Sequence, residues 1–256
     1  MSMNRRIFLQ DACGVAIWGG FPHATPPVFS QEPNQMPDQG SSAFEHFRWS
    51  FFEDENWWRD GLDKAALLQL EGEQRARAED MLLRHLPDDR GVIGLGELRS
   101  QRARPELLRL LDAERQAQRQ AQRDRDSGWL PYHLLNLAKA LWQIRPDSSL
   151  LAVVTGILAS ADLDLQRMDA AVALAVFRDP GAVHALVQAL DDPAKLVRHH
   201  ATRSLLIIHG LQDEADIMEH GSEHMMYRVM SDDPTRRAGG KRNVLAAIAG
   251  RPIVAP

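Results

Sequence analysis

Residues 164–205 read DLQRMDAAVALAVFRDPGAVHALVQALDDPAKLVRHHATRSL, and one spacing occurs in them twice: Arg167, Ala170, Leu174, then Arg198, Ala201, Leu205, thirty-one residues on. Steps of three and four residues return to the same side of a helix, so each triplet marks one helical face. The first copy runs through Asp179-Pro180 into a second apolar period, Ala182, Val183, Leu186 and Leu190, before Asp192-Pro193 opens the next copy. Each copy therefore predicts a hairpin of two helices. One hairpin cannot bury its apolar faces alone, so copies stack. The expected fold class is all-α, a short right-handed α-solenoid of helical hairpins.

Earlier copies are degenerate. Leu95, Leu107, Leu108 and Leu111 outline one, with Ala103 and Leu107 spaced like Ala182 and Leu186; Pro131 then leads into Leu134, Leu137, Ala138, Leu141 and Ile144, with a partner helix at Leu150 to Leu158. The aligned leucines Leu95, Leu141, Leu174 and Leu205 lie forty-six, thirty-three and thirty-one residues apart. The first gap is swollen by Glu114 to Asp126, where mixed charges read as a solvated helix face, with nucleic-acid or membrane contact through Arg115, Arg119, Arg123 and Arg125 as the alternative. Asp-Pro occurs at Asp179, Asp192 and Asp233. Aspartate accepts the free N–H groups of a helix start, and proline fits the first turn because its missing donor is not needed there.

The stretch Asp192 to Leu205, with Val197-Arg198, Ala201 and Leu205, resembles the HEAT repeat, in the short bacterial form of the phycobilisome-lyase-like repeats. The resemblance spans roughly residues 62–250 and is specific over 164–211. It implies that Arg167 and Arg198 are structural and pair with acidic residues of neighbouring units. It implies a non-enzymatic binding scaffold, although some relatives are chromophore lyases or DNA-repair glycosylases, and lyase-like or glycosylase-like chemistry stands as an alternative.

Composition sets further bounds. The chain has 256 residues, 44% of them apolar, and a formal charge of −5, which argues against general nucleic-acid binding because phosphate contact needs a basic stripe. Its single cysteine, Cys13, leaves the rest without disulfides, cysteine-based zinc sites or thiol chemistry. Residues 1–24 hold Arg5-Arg6 before Phe8-Leu9 and a ten-residue apolar stretch from Ala12 to Phe21, and resemble a twin-arginine export signal. Ten apolar residues cannot span a bilayer, so no stable transmembrane anchor is expected, and the location expected is periplasmic or exported. Residues 25–43 read as a Pro/Gln-rich flexible linker: five of the fourteen prolines fall between Pro22 and Ser42. The solenoid is expected over 44–253. Seven of the chain's sixteen aromatics, including Trp57 and Trp58, crowd residues 44–58. They read as a cover for the first repeat, or as a recognition patch for a peptide or glycan.

Motifs for chemistry are scarce. There is no Gly-x-Ser-x-Gly, His-Glu-x-x-His or phosphate loop, and Gly94-Leu95-Gly96 sits inside a helical period. His199 and His200 are adjacent on a helix and point about a hundred degrees apart, so they do not converge on one substrate. Met218, His220, His224, Met225 and Met226 offer thioether and imidazole ligands suited to Cu(I), an alternative to methionines filling the end of a core. No cofactor is expected. The partner expected is a protein or peptide, met by second-helix residues such as His184, Gln188 and Asp191, together with Trp57 and Trp58.

Overall fold

The computed structural model describes residues 40–54, 61–124, 131–211 and 224–254. Those residues form twelve helices and no strand. The chain divides into two compact units, Met1–Ala78 and Glu79–Pro256.

In the first unit α1 (Ala43–Phe52) starts at a reciprocal cap: Ser42 Oγ accepts the Glu45 N–H at 3.3 Å, and the Glu45 carboxylate accepts the Ser42 N–H at 2.7 Å. Phe44, Phe47 and Phe51 follow at helical spacing and are buried, with successive ring centroids 6.1 and 6.0 Å apart. Against α1 packs α2 (Lys64–Leu68), and Leu62, Leu67 and Leu70 complete the interior. From α3 (Gly72–Arg84), the Arg77 guanidinium lies 4.9 Å over the Phe44 ring. Part of the aromatic run thus builds this unit's own core. Trp57 and Trp58 lie outside the described residues.

The second unit begins within α3 and continues as α4 (Asp89–Glu97), α5 (Arg104–Asp124), α6 (Tyr132–Ile144), α7 (Ser148–Ser160), α8 (Asp164–Leu174), α9 (Pro180–Ala189), α10 (Lys195–Ile208), α11 (Met225–Arg228) and α12 (Pro234–Ile248). It is an α-solenoid. First helices α4, α6, α8 and α10 pack in series, and each second helix, α5, α7 and α9, packs on the first helix that follows it. The four aligned leucines, Leu95, Leu141, Leu174 and Leu205, are all buried in this stack, as are Ala103, Leu107, Ala182 and Leu186. Each such leucine contributes about 1.5–3 kcal/mol of transfer free energy. Trp142 meets Phe177 across the α6 and α8 levels, ring centroids 4.8 Å apart.

Short-range chemistry sets the turns. Three first helices end on a residue with positive φ, Arg99 at 52°, Arg178 at 43° and Gly210 at 74°, the left-handed conformation that stops a helix. Asp147, Asp179 and Asp233 cap α7, α9 and α12 by accepting N–H groups at 2.6–2.8 Å, with Pro180 and Pro234 in the first turn of the last two. Asp192-Pro193 departs from this pattern. There α10 begins only at Lys195, after Ala194; Asp192 still accepts the N–H two residues on, at 2.8 Å, but its carboxylate is shared with Arg167. At Gly96 a Cβ would fall 2.7 Å from Ala140 Cα, so the glycine lets α4 and α6 touch backbone to backbone. The end of the chain folds back on the stack: Val254 N–H donates to Ile208 O at 3.0 Å, and Arg178 Nη1 donates to Val254 O at 2.9 Å. No described helix is long and apolar enough to cross a membrane.

Candidate interaction surface

The repeated arginines hold one level to the next. Arg167 Nη1 donates back to the carbonyls of Ala161 and Asp162 at 2.8 and 3.1 Å, while Nε and Nη2 reach forward to both oxygens of Asp192 at 2.8 and 3.1 Å. One level on, Arg198 repeats the backward half on the carbonyls of Asp192 and Pro193 at 2.7 and 2.8 Å. Its forward half differs: Nε donates to Val229 O at 2.7 Å, so it grips the next turn by backbone and not by a carboxylate. Asp192 sits between the two, its carboxylate held by one arginine and its carbonyl by the other. Arg198 is 2% exposed, and burial lowers its pKa. Ser204 Oγ adds a buried bond to Ala171 O at 2.8 Å, tying α10 to α8.

A polar row runs along the first helices two residues beyond the arginine position: Asn136 on α6, Asp169 on α8 and His200 on α10. Around Asn136, Asp89 Oδ1 accepts from His133 Nδ1 at 2.7 Å and from Asn136 Nδ2 at 3.2 Å, and Lys139 Nζ donates to Asn136 Oδ1 at 3.3 Å. Burial pulls the His133 pKa down, but its bond to Asp89 together with the nearby charges of Asp89, Glu114 and Asp88 outweighs this and the net shift is upward. Burial pushes Asp169 up to about 6, against the opposing pull of Lys139. His199 and His200, whose rings meet edge to face at 4.9 Å, are both brought down to about 4 by burial, with Arg203 adding to it.

The signs oppose one another. Asp169 titrates higher when folded than unfolded, so its stabilising contribution is full below about pH 4 and is lost as pH rises through about 6. The histidines titrate lower when folded, so theirs is full above about pH 6.5 and is lost as pH falls through about 4. Asp169→Asn should therefore stabilise the protein by about 1–2 kcal/mol at pH 7 and by less at pH 5. Urea unfolding at the two values measures this; an equal gain at both would show that ionisation is not the cause.

On the second-helix side, α9 buries Ala182, Leu186 and Ala189 and turns His184 and Gln188 to solvent, where the Gln188 amide donates to His184 Nε2 at 3.0 Å. Asp191, also exposed, pairs with Lys241 of α12. A groove lies between α5 and α7. One hollow of about 160 Å³ is lined by Arg104, Leu108, Arg115, Arg145 and Asp147, and a second of about 280 Å³ by Arg115, Arg119, Ala152, Gly156 and Ser160. Each is smaller than the roughly 300–1,000 Å³ of a pocket that engulfs a small molecule.

Residues 166–192, which hold Arg167, α9 and Asp192, match the family model described as PBS lyase HEAT-like repeat. This segment is a HEAT-like repeat. No curated protein and no solved structure matches the chain significantly.

The resemblance reaches residue 250 without a named triplet beyond Leu205, and the structure supplies one. Arg237, Gly240 and Val244 keep the Arg, small, apolar spacing thirty-nine residues beyond the previous copy, and Arg237 Nη1 donates to Ser231 O six residues back, as Arg198 does to Asp192 O. Glycine stands there in place of alanine because a Cβ at Gly240 would lie 2.7 Å from Val229 N. Of the Met/His set, Met218 and His220 lie outside the described residues. His224 caps α11 by accepting the Met226 N–H at Nδ1, 3.3 Å, and Met226 is fully buried. Among the described residues no group of three or more His, Cys, Asp or Glu side chains is placed to hold a metal ion.

Proposed function

We propose that the second unit is a non-enzymatic HEAT-like scaffold that binds a protein or peptide partner, and that the chain is exported through its Arg5-Arg6 segment to act as an adaptor or immunity-type protein. One observation carries the binding role: the two faces of the hairpins are used differently. Arg167 and Arg198 are spent inside the stack, holding turns together, whereas α9 presents His184 and Gln188 to solvent from a rigid helix. Side chains fixed on stacked helices form a surface that a partner meets at little ordering cost.

The test is native mass spectrometry of the tagged protein isolated from the envelope of its source cells, beside a His184→Ala/Gln188→Ala/Asp191→Ala variant with unchanged circular dichroism. The expected wild-type species carries a stoichiometric protein partner, which the variant loses by about tenfold or more. A wild-type chain that stays bare even after cross-linking in the cell overturns the scaffold reading. The same spectra weigh the N-terminus: a mass short of about the first twenty-four residues is expected, and a full-length chain overturns export.

A further inference from the structure

The α5/α7 groove has an unusual charge for this chain. Four arginines, Arg104, Arg115, Arg119 and Arg145, line it against two aspartates, Asp112 and Asp147, in a protein whose formal charge is −5. Arg104, Arg115 and Arg119 are eleven and four residues apart, so they share one face of α5. Arg104 Nε is shut off from solvent and has no hydrogen-bond partner. The Arg115 and Arg119 guanidinium groups hold no hydrogen-bond or ion-pair partner among the described residues, whereas Arg104 and Arg145 both act on the Asp147 carboxylate. The Arg115 and Arg119 groups differ from those of Arg167 and Arg198, whose donors are consumed within the fold.

The opposite wall admits close approach. Ala152, Gly156 and Ser160 fall one turn apart on α7 and are exposed, and a Cβ on Gly156 would meet nothing within 4 Å. Between the walls lie Leu108, Leu150, Val153 and Ile157. A strip of apolar floor flanked by the unpaired Arg115 and Arg119 and by a small-residue wall has the chemistry to receive a peptide with both carboxylates and apolar side chains. A nucleic-acid backbone suits it less: it leaves the leucines unpaired and sets phosphates beside Asp112 and Asp147.

We propose that the groove between α5 and α7 binds an acidic, apolar-striped peptide segment of a protein partner, an assignment that rests on the scaffold reading above and names its recognition chemistry. From Arg104 to Arg119 the helix rises about 22 Å, which a helical peptide of about sixteen residues matches.

The probe is a fluorescein-labelled peptide of about that length, built of glutamate, leucine and alanine with leucine at every third or fourth position. Its anisotropy is measured against the purified full chain, beside the same peptide with glutamine for glutamate and a single-stranded oligodeoxynucleotide of similar length. Saturable binding of the glutamate peptide alone is expected. Arg115→Glu/Arg119→Glu should weaken it by about tenfold or more, since both charges are reversed. Gly156→Leu fills the groove from a position with free space and removes a helical glycine, so it should weaken binding about as much with the thermal midpoint unchanged or raised. Binding of neither peptide, binding unaffected by both variants, or preference for the oligonucleotide overturns the assignment. If the partner recovered from cells stays bound to both groove variants but leaves the His184/Gln188/Asp191 variant, the groove assignment fails and the scaffold reading stands.

Discussion

Arg198→Ala is expected to cost about 3–5 kcal/mol, the loss usual when a buried, hydrogen-bonded charge is removed from partners that stay behind. Three of its bonds, to the carbonyls of Asp192, Pro193 and Val229, are 2.8 Å or shorter. Truncation leaves the buried Val229 carbonyl with no donor, at about 1–3 kcal/mol, and strips the part-buried Asp192 and Pro193 carbonyls of theirs at a smaller cost because water can reach them. Recovery of the arginine's own desolvation, seen in its lowered pKa, offsets part of this and keeps the total below the plain sum. In a unit of this size the thermal midpoint should fall by about 6–20 °C. Lysine restores little, because one ammonium cannot face the turn before α10 and the turn before α12 together. A solenoid is held by nearest-neighbour interfaces, so hydrogen exchange should quicken in α11 and α12 before it does in α8. A midpoint within about 1 °C of wild type would contradict the assigned role.

Gly96→Val should destabilise by about 2–3 kcal/mol through overpacking. The new side chain meets Ala140 Cα and Cβ at 2.7 and 2.8 Å, and these atoms are fixed to the α6 backbone and cannot step aside. Only the third neighbour, Gln143 Oε1 at 2.6 Å, is the end of a flexible chain. Gly156→Ala is the control with the opposite sign. It too replaces a helical glycine, but into open space, and should gain about 0.5–1 kcal/mol from helix propensity. Denaturant midpoints of the pair measure the difference, and a shift in the same direction for both would refute the close-contact explanation.

Features imposed by a local period were legible in the sequence. Leu95, Leu141, Leu174 and Leu205 were recognisable as core because burial of one helical face imposes their spacing, and all four are buried. That Arg167 and Arg198 are structural was implied by the resemblance to the HEAT repeat and not by their own period. Arg198's forward partner was not, because it is a carbonyl thirty-one residues away, which no side-chain pattern encodes. Asp192 looked like a helix cap, and only the fold brings Arg167 to its carboxylate. Gly96 read only as part of a helical period, because its packing role depends on Ala140, forty-four residues on. The surface was partly legible: His184 and Gln188 are exposed on α9 as their period implies, and Asp191 is exposed just past the helix end. The arginines of α5 read as a solvated face, since nothing in their own helix discloses that Gly156 stands opposite an open channel.

The arginine clasp gives the second unit a stiff and a compliant edge. Turns bound by Arg167, Asp192 and Arg198 fix the rise from α8 through α10 to the turn before α12, whereas α5 and α7 stand apart across their groove at a level where Leu134 holds the arginine position. Such a body bends like a book held at its spine: the pages fan while the binding keeps its length. Elastic energy then depends on direction, and the softest deformation is one that widens or narrows the α5/α7 channel without breaking a clasp. A load applied along the stack would reach the clasped turns first, and the channel would record it as a change in width.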